Sequence, residues 1–244
     1  MLNVLAINGG SPTIQKTFPR YNTLGEEELV ACKRVLNSGV LSQFLGCHDE
    51  DFYGGVEIKE FEKEWSEFFR VKHSVSVNSN TSGLMCAIGA IGIEPGDQVI
   101  VSPWSMCASA TCILVWNAIP VFADIEAETF NLDPESVEKL INEKTKAIVV
   151  PDIFGHPADL KALMQLAEKH NLYLIEDAAQ LPGVKYHNQH AGTVGHIGVY
   201  SLNYHKHIHT GEGGVCVTND SILAEKMCLI RNHAEAVIAG RDSS

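Results

Sequence analysis

The chain has 244 residues, with 18 Lys and Arg against 30 Asp and Glu and a formal net charge of −12. An acidic balance of that size excludes a protein that grips nucleic acid through its overall field. Hydrophobic residues make up 45% and charged residues 20%, which excludes dominant disorder in a chain long enough to bury a sizeable core.

The amino-terminal Val4-Leu5-Ala6-Ile7 stretch has no basic residues ahead of it and is too short for a signal peptide. Seven cysteines form no C-x-x-C pair and read as reduced, mostly packed thiols of a cytoplasmic protein. The uncharged run from Gln98 to Ala123 is interrupted by Pro103, Asn117 and Pro120, so it reads as core, not as a membrane span.

Along the chain, Glu26 to Leu36 reads as an amphipathic helix stopped by Gly39, and Phe44 to Gly55 as a glycine-rich loop. Ile58 to Phe69 is a second helix. After Arg70 the pattern becomes strand, turn, helix. Ser74 to Val77 is a strand, followed by an apolar helix to about Ile91. Gln98 to Ser102 is a strand, followed by a helix over Met106 to Val115. Pro120 to Ala123 is a strand, and Asp133-Pro134 caps a helix through Ile141. Ala147 to Val150 is an apolar strand, Ala158 to His170 a helix, Leu172 to Ile175 a strand, and Val215 to Val217 a last strand. Short apolar strands between helices imply parallel pairing with both faces covered, an α/β sandwich. Ligands of such sheets collect beyond the carboxyl ends of the strands.

Three segments after strands carry chemistry. Ser79-Asn80-Thr81-Ser82 sits at a strand-to-helix turn, where free N–H groups and hydroxyls suit a phosphate or simply cap the helix. Glu176-Asp177-Ala178-Ala179-Gln180 puts acids at a strand end. Ser201 through Gly214 sets Lys206 among His205, His207 and His209. A lysine whose pKa is lowered is a Schiff-base nucleophile; the plain alternative is a surface lysine. On a strand the three histidines would share one face and mimic a metal site, but no carboxylate or cysteine stands at a matching spacing, so no metal is expected.

In this order and spacing, E-D-A-A-Q, then S-x-x-x-x-K, then G-E-G-G resembles the DegT/DnrJ/EryC1/StrS sugar aminotransferases. Leu5 to Gly10, Ser38-Gly39, Asn78 to Thr81, Pro120 to Ile125, Ala191 to Gly195 and Arg231-Asn232-His233 extend the match. The resemblance implies an aspartate-aminotransferase-like large domain, with a mostly parallel sheet between helices, and pyridoxal 5′-phosphate as cofactor. Lys206 matches the lysine that forms the internal aldimine and shuttles the substrate proton. Asp177 matches the carboxylate on the pyridine nitrogen, and Gln180 the glutamine near the phenolic oxygen. Asn80, Thr81 and Ser201 match the phosphate cradle. Met106 stands where an aromatic ring usually stacks on the cofactor, with Trp104 two residues earlier as a substitute. Asn232 matches an asparagine that reaches the neighbouring subunit's phosphate in a homodimer.

The resemblance further implies ping-pong transamination from glutamate or glutamine to a nucleotide-linked keto-sugar or a keto-inositol. Lysine at 206, where dehydratase members carry histidine, favours transamination. By the same resemblance residues 1–244 form the large domain, with a helical segment to about residue 70, and the family's small C-terminal domain is missing. A separate C-terminal half, or a non-catalytic protein that binds pyridoxal phosphate or a sugar nucleotide, is the alternative.

Overall fold

The computed structural model describes residues 4–242. The chain end at Ser243-Ser244, on which the expected early stop rests, lies outside the described residues. The chain divides into two compact units, Met1–Leu41 and Ser42–Ser244. The first carries helix α1 (Glu26–Ser38), with three glutamates in its first turn and Gly39 in the left-handed conformation at its end. The amphipathic pattern and the glycine stop are both borne out, and no residue of α1 is buried.

The second unit holds a seven-stranded sheet. In chain order its elements are α2 (Val56–Phe69), β1 (His73–Val77), α3 (Asn80–Ala90), β2 (Gln98–Val101), α4 (Ala108–Leu114), β3 (Ile119–Phe122), α5 (Pro134–Leu140), β4 (Thr145–Pro151), α6 (Leu160–His170) and β5 (Tyr173–Asp177). A small hairpin of β6 (Lys185–Tyr186) and β7 (Gln189–His190) follows. Then come β8 (Ile197–Ser201), β9 (Gly214–Thr218), α7 (Ser221–Arg231) and α8 (Ala234–Asp242). The spatial order is β1-β9-β8-β5-β4-β2-β3. Strands β3, β2, β4, β5 and β8 are parallel, and β9 runs antiparallel between β8 and β1.

Both faces of the sheet are buried, which is why the central strands are uninterrupted apolar runs rather than alternating ones. Along β4, Ala147 and Val149 enter a core shared with Leu84, Ile88, Cys112 and Met227 of α3, α4 and α7. Ile148 and Val150 enter the opposite core with Trp65, Val137, Leu160 and Leu163 of α2, α5 and α6. Parallel strands bring Pro151, Asp177 and Ser201 to one edge of the sheet. The antiparallel β9 starts at that edge with Gly214, which pairs with Ser201.

Three expectations need correction. The Phe44 to Gly55 stretch is not all loop: Glu50–Tyr53 forms a 3-10 turn that buries Phe52. Residues 205–209 are not a strand, because the chain turns there, so the three histidines share no strand face. Among the described residues no group of three or more His, Cys, Asp or Glu is placed to hold a metal ion. The helix expected from Met106 begins at Ala108, which leaves Met106 outside the helix. No described helix is long and apolar enough to cross a membrane.

Candidate active site

A cleft of about 490 Å³ opens at the carboxyl edge of the sheet, lined among others by Asn80, Thr81, Met106, Asp177, Gln180, Ser201 and Lys206. Every candidate residue except Asn232 is therefore brought together. Asn232 ends α7 and donates its side-chain amide to the Leu45 carbonyl at 2.9 Å.

Each lining group is fixed by its own local structure. Ser79 caps α3, accepting from the Ser82 N–H at 3.1 Å, which leaves the N–H groups of Asn80 and Thr81 for an anion. The start of β9 runs against that turn. A Cβ on Gly214 would lie 2.6 Å from the Ser79 carbonyl carbon and 2.8 Å from the Asn80 nitrogen, so only glycine lets the two backbones meet. Ser201 ends β8 and is buried.

Lys206 rides on the β8–β9 loop. Its N–H donates to the Asn203 carbonyl at 2.8 Å, and Asn203 in turn donates its amide to the Glu212 carboxylate at 2.8 Å. The loop closes through Leu202 N–H to the Gly213 carbonyl at 2.9 Å, and His207 pins it to the Pro182 carbonyl at 2.9 Å. His207 thus holds the loop in place. Met106 lines the cleft with most of its side chain exposed, whereas the Trp104 ring lies against Phe130 at 5.9 Å and does not line it. The thioether, and not the indole, faces the ligand space.

Asp177 is 6% exposed and accepts from Asn80 Nδ2 at 3.0 Å, Ser109 Oγ at 2.7 Å and the Ala179 N–H at 3.4 Å. Burial pushes its pKa up, while these bonds and the nearby Lys206 charge pull it back. A carboxylate offers about four acceptor positions, so one remains for a ligand donor. Ser109, on α4, escaped the sequence reading, because nothing in the linear order ties it to Asp177. Gln180 accepts the Phe154 N–H on Oε1 at 2.6 Å, which leaves its amide N–H groups for the cleft.

The pleat of β5 sends Glu176 the other way. It is fully buried and accepts the N–H groups of Gly192, Val194 and Gly195 at 2.6, 2.7 and 2.6 Å. The Ala191 to Gly195 motif is thus a cradle for a structural carboxylate. Asp152, at the end of β4, also lines the cleft and was missed. Its Oδ1 accepts the Ala158 N–H at 2.8 Å, and its Oδ2 is buried without a partner. The rule that directs attention to residues just after each strand would have found it.

Burial pushes Glu176 up to about 7, and burial together with the Glu176 charge pushes Asp152 well above the ordinary carboxylate value. Both acids hold protons more tightly in the folded state than in the unfolded chain. Their contribution to stability is complete below the unfolded pKa and is lost as pH rises through the folded one. Asp152→Asn removes one of the two and is expected to shrink the fall in Tm between ~pH 5 and ~pH 8. An undiminished fall contradicts this assignment.

The fold, a mostly parallel sheet flanked by helices, is shared with solved aminotransferases and a related dehydratase. The GDP-4-keto-6-deoxymannose-3-dehydratase structure with a trapped PLP–glutamate geminal diamine superposes with a TM-score of 0.79 at 27% identity, covering 88% of this chain and 55% of that one. The chain belongs to the DegT/DnrJ/EryC1/StrS aminotransferase family, whose pattern matches residues 23–242. It is 38% identical over 225 residues to the L-glutamine:2-deoxy-scyllo-inosose aminotransferase of Streptomyces kanamyceticus, covering 91% of this chain and 51% of that protein. It is 39% identical over 187 residues to the GDP-perosamine synthase of Vibrio cholerae, covering 77% and 50%. The chain spans about half the length of these curated relatives.

The cleft fits pyridoxal phosphate on its own terms. It offers N–H groups at a helix start, a fourth acceptor position on buried Asp177, and an orphaned buried oxygen, Asn80 Oδ1, that a ligand donor would satisfy.

Proposed function

We propose that this chain carries the cofactor-binding half of a pyridoxal-phosphate aminotransferase. It moves an amino group from glutamate or glutamine to the keto group of a nucleotide-linked sugar or an inositol. The observation that carries this reading is the convergence of Lys206 and Asp177 on one cleft, with the Lys206 charge acting on the Asp177 carboxylate.

Pyridoxal phosphate, when bound, supplies an electron sink for the substrate carbon that gains or loses nitrogen. The chain's residues do the rest. Asn80, Thr81 and Ser201 hold the phosphate. Asp177 keeps a proton on the pyridine nitrogen, and the Gln180 amide donates to the phenolic oxygen. Met106 packs on the ring face. The Lys206 amine would hold the cofactor and, when free, would carry the proton to and from the substrate carbon. A homodimer in which Asn232 reaches the neighbouring phosphate belongs to this proposal.

The test is direct. Purified protein incubated with pyridoxal phosphate develops a visible absorbance band. Borohydride then fixes a cofactor-sized mass on the peptide containing Lys206, and Lys206→Ala loses both signals. Absence of the band and of the adduct in the wild-type protein removes the proposal.

A further inference from the structure

The amino edge of the sheet, opposite the cleft, carries a much smaller pocket of about 170 Å³. It is built where the end of α2, the β6–β7 hairpin and the turn after β9 meet. Its lining includes Arg70, Lys185, Asn188, His190, Thr193 and Asn219, and no carboxylate. In a chain of net charge −12 that composition runs against the overall field. Among the described residues neither Arg70 nor Lys185 forms an ion pair.

Local structure holds the cations together. Arg70 ends α2 in the left-handed conformation, with φ 57° and its N–H bonded to the Ser66 carbonyl. Lys185 pairs with His190 across the hairpin. The His190 ring packs on Phe68 and Phe69 at 5.4 and 5.1 Å, and its Nδ1 is buried with no partner. Asn219 accepts the Lys72 N–H on its carbonyl oxygen at 3.0 Å, which leaves its amide N–H groups available. The pocket therefore offers donors and positive charge. Its volume is below the roughly 300–1,000 Å³ of sites for larger organic ligands.

We propose that this pocket binds a phosphate-class oxyanion, either free phosphate or the phosphoryl group of a small phosphomonoester. Arg70 supplies a planar fork matched to two phosphate oxygens, Lys185 a point charge, and the asparagine amide of 219 a neutral donor. The site is separate from the cleft and stands whether or not the transamination reading holds. Burial, then the Lys185 and Arg70 charges, holds the His190 ring below its ordinary pKa. An anion seated between those two cations offsets them, so His190 reports occupancy.

The experiment uses protein saturated with pyridoxal phosphate, so that the helix-start cradle is already filled. Inorganic phosphate and glycerol 3-phosphate are titrated separately by calorimetry at low ionic strength. The His190 ring signals are followed by NMR and assigned with His190→Gln. Saturable binding of one anion per chain is expected, with a rise in the His190 pKa. The Arg70→Gln/Lys185→Gln variant is expected to bind at least about tenfold more weakly. The Arg70→Lys/Lys185→Arg variant, which keeps both charges, retains binding and controls for folding. The tighter of the two probes identifies the source of the phosphoryl group. No saturable binding of either probe, or equal affinity in the neutralised variant, overturns the proposal.

Discussion

Under the proposed transamination, Asp177→Asn is expected to lower the rate of amino transfer about 10³-fold, the scale on which a preorganised buried electrostatic partner acts. The carboxylate is held by three donors in a site 6% exposed, so its charge acts at low dielectric on whatever proton it faces. Asparagine keeps the shape and one acceptor oxygen but not the charge, so the proton that the proposal places on the pyridine nitrogen would no longer be stabilised. Folding is expected to tolerate the change. Ser109 Oγ reverses its role and accepts from the new amide, and a carboxyl whose pKa burial has raised is removed. The expected result is a Tm equal to or above that of the wild type, cofactor binding retained, and single-turnover transfer from glutamate or glutamine slowed by three decades. A rate within tenfold of the wild type contradicts the role given to Asp177.

Gly198→Ala is expected to destabilise the protein by about 3 kcal/mol, at the upper end of overpacking costs. Gly198 is the second residue of the buried strand β8, paired with Glu176 of β5 and Val217 of β9. A Cβ there would fall 1.7 Å from the Gly192 carbonyl oxygen and 2.6 Å from its carbon. The clash is with backbone, so no rotamer relieves it. The Ala191 to Gly195 turn must then move. It is held by three N–H groups bonded to the Glu176 carboxylate and by the Tyr200 hydroxyl donating to the Ala191 carbonyl at 2.7 Å. Displacing the turn leaves a fully buried carboxylate short of donors, which adds to the cost. A thermal melt is expected to show a Tm lower by roughly 6–12 °C. A shift within about 2 °C shows that the turn yields freely.

Much of the architecture is legible in the chain because the central strands, buried on both faces, are apolar runs between turn residues. Strands β2 to β5 follow from apolar runs in order, and β1 from the alternating Ser74-Val75-Ser76-Val77. Strand β8 does not: Ile197-Gly198-Val199-Tyr200-Ser201 is broken by glycine and sits between turns and a histidine-rich loop. The order β1-β9-β8-β5-β4-β2-β3 is not written locally either, since β9 pairs with a strand well over a hundred residues earlier. The candidate site was readable where chemistry lies in one continuous segment, as at Lys206 or Glu176 to Gln180. It was unreadable where contacts are made across the fold. Ser109 and Asn80 reach Asp177 from separate helices, and the partnership of Glu176 with Gly192, Val194 and Gly195 joins two motifs that the sequence shows only as neighbours.

Adjacent acids on β5 serve opposite sides of the sheet, one anchoring a turn and one facing the cleft. Loss or gain of a single codon within that strand would exchange their directions, stranding Asp177 among the N–H groups of residues 192–195 and thrusting Glu176 toward the cleft. Variation in length can therefore enter this segment only two residues at a time. The loop that carries Lys206, closed by paired strand ends at Ser201 and Gly214, is under no such parity rule. Insertions and deletions should thus be filtered by even number in one stretch of the gene and merely by reach in the other.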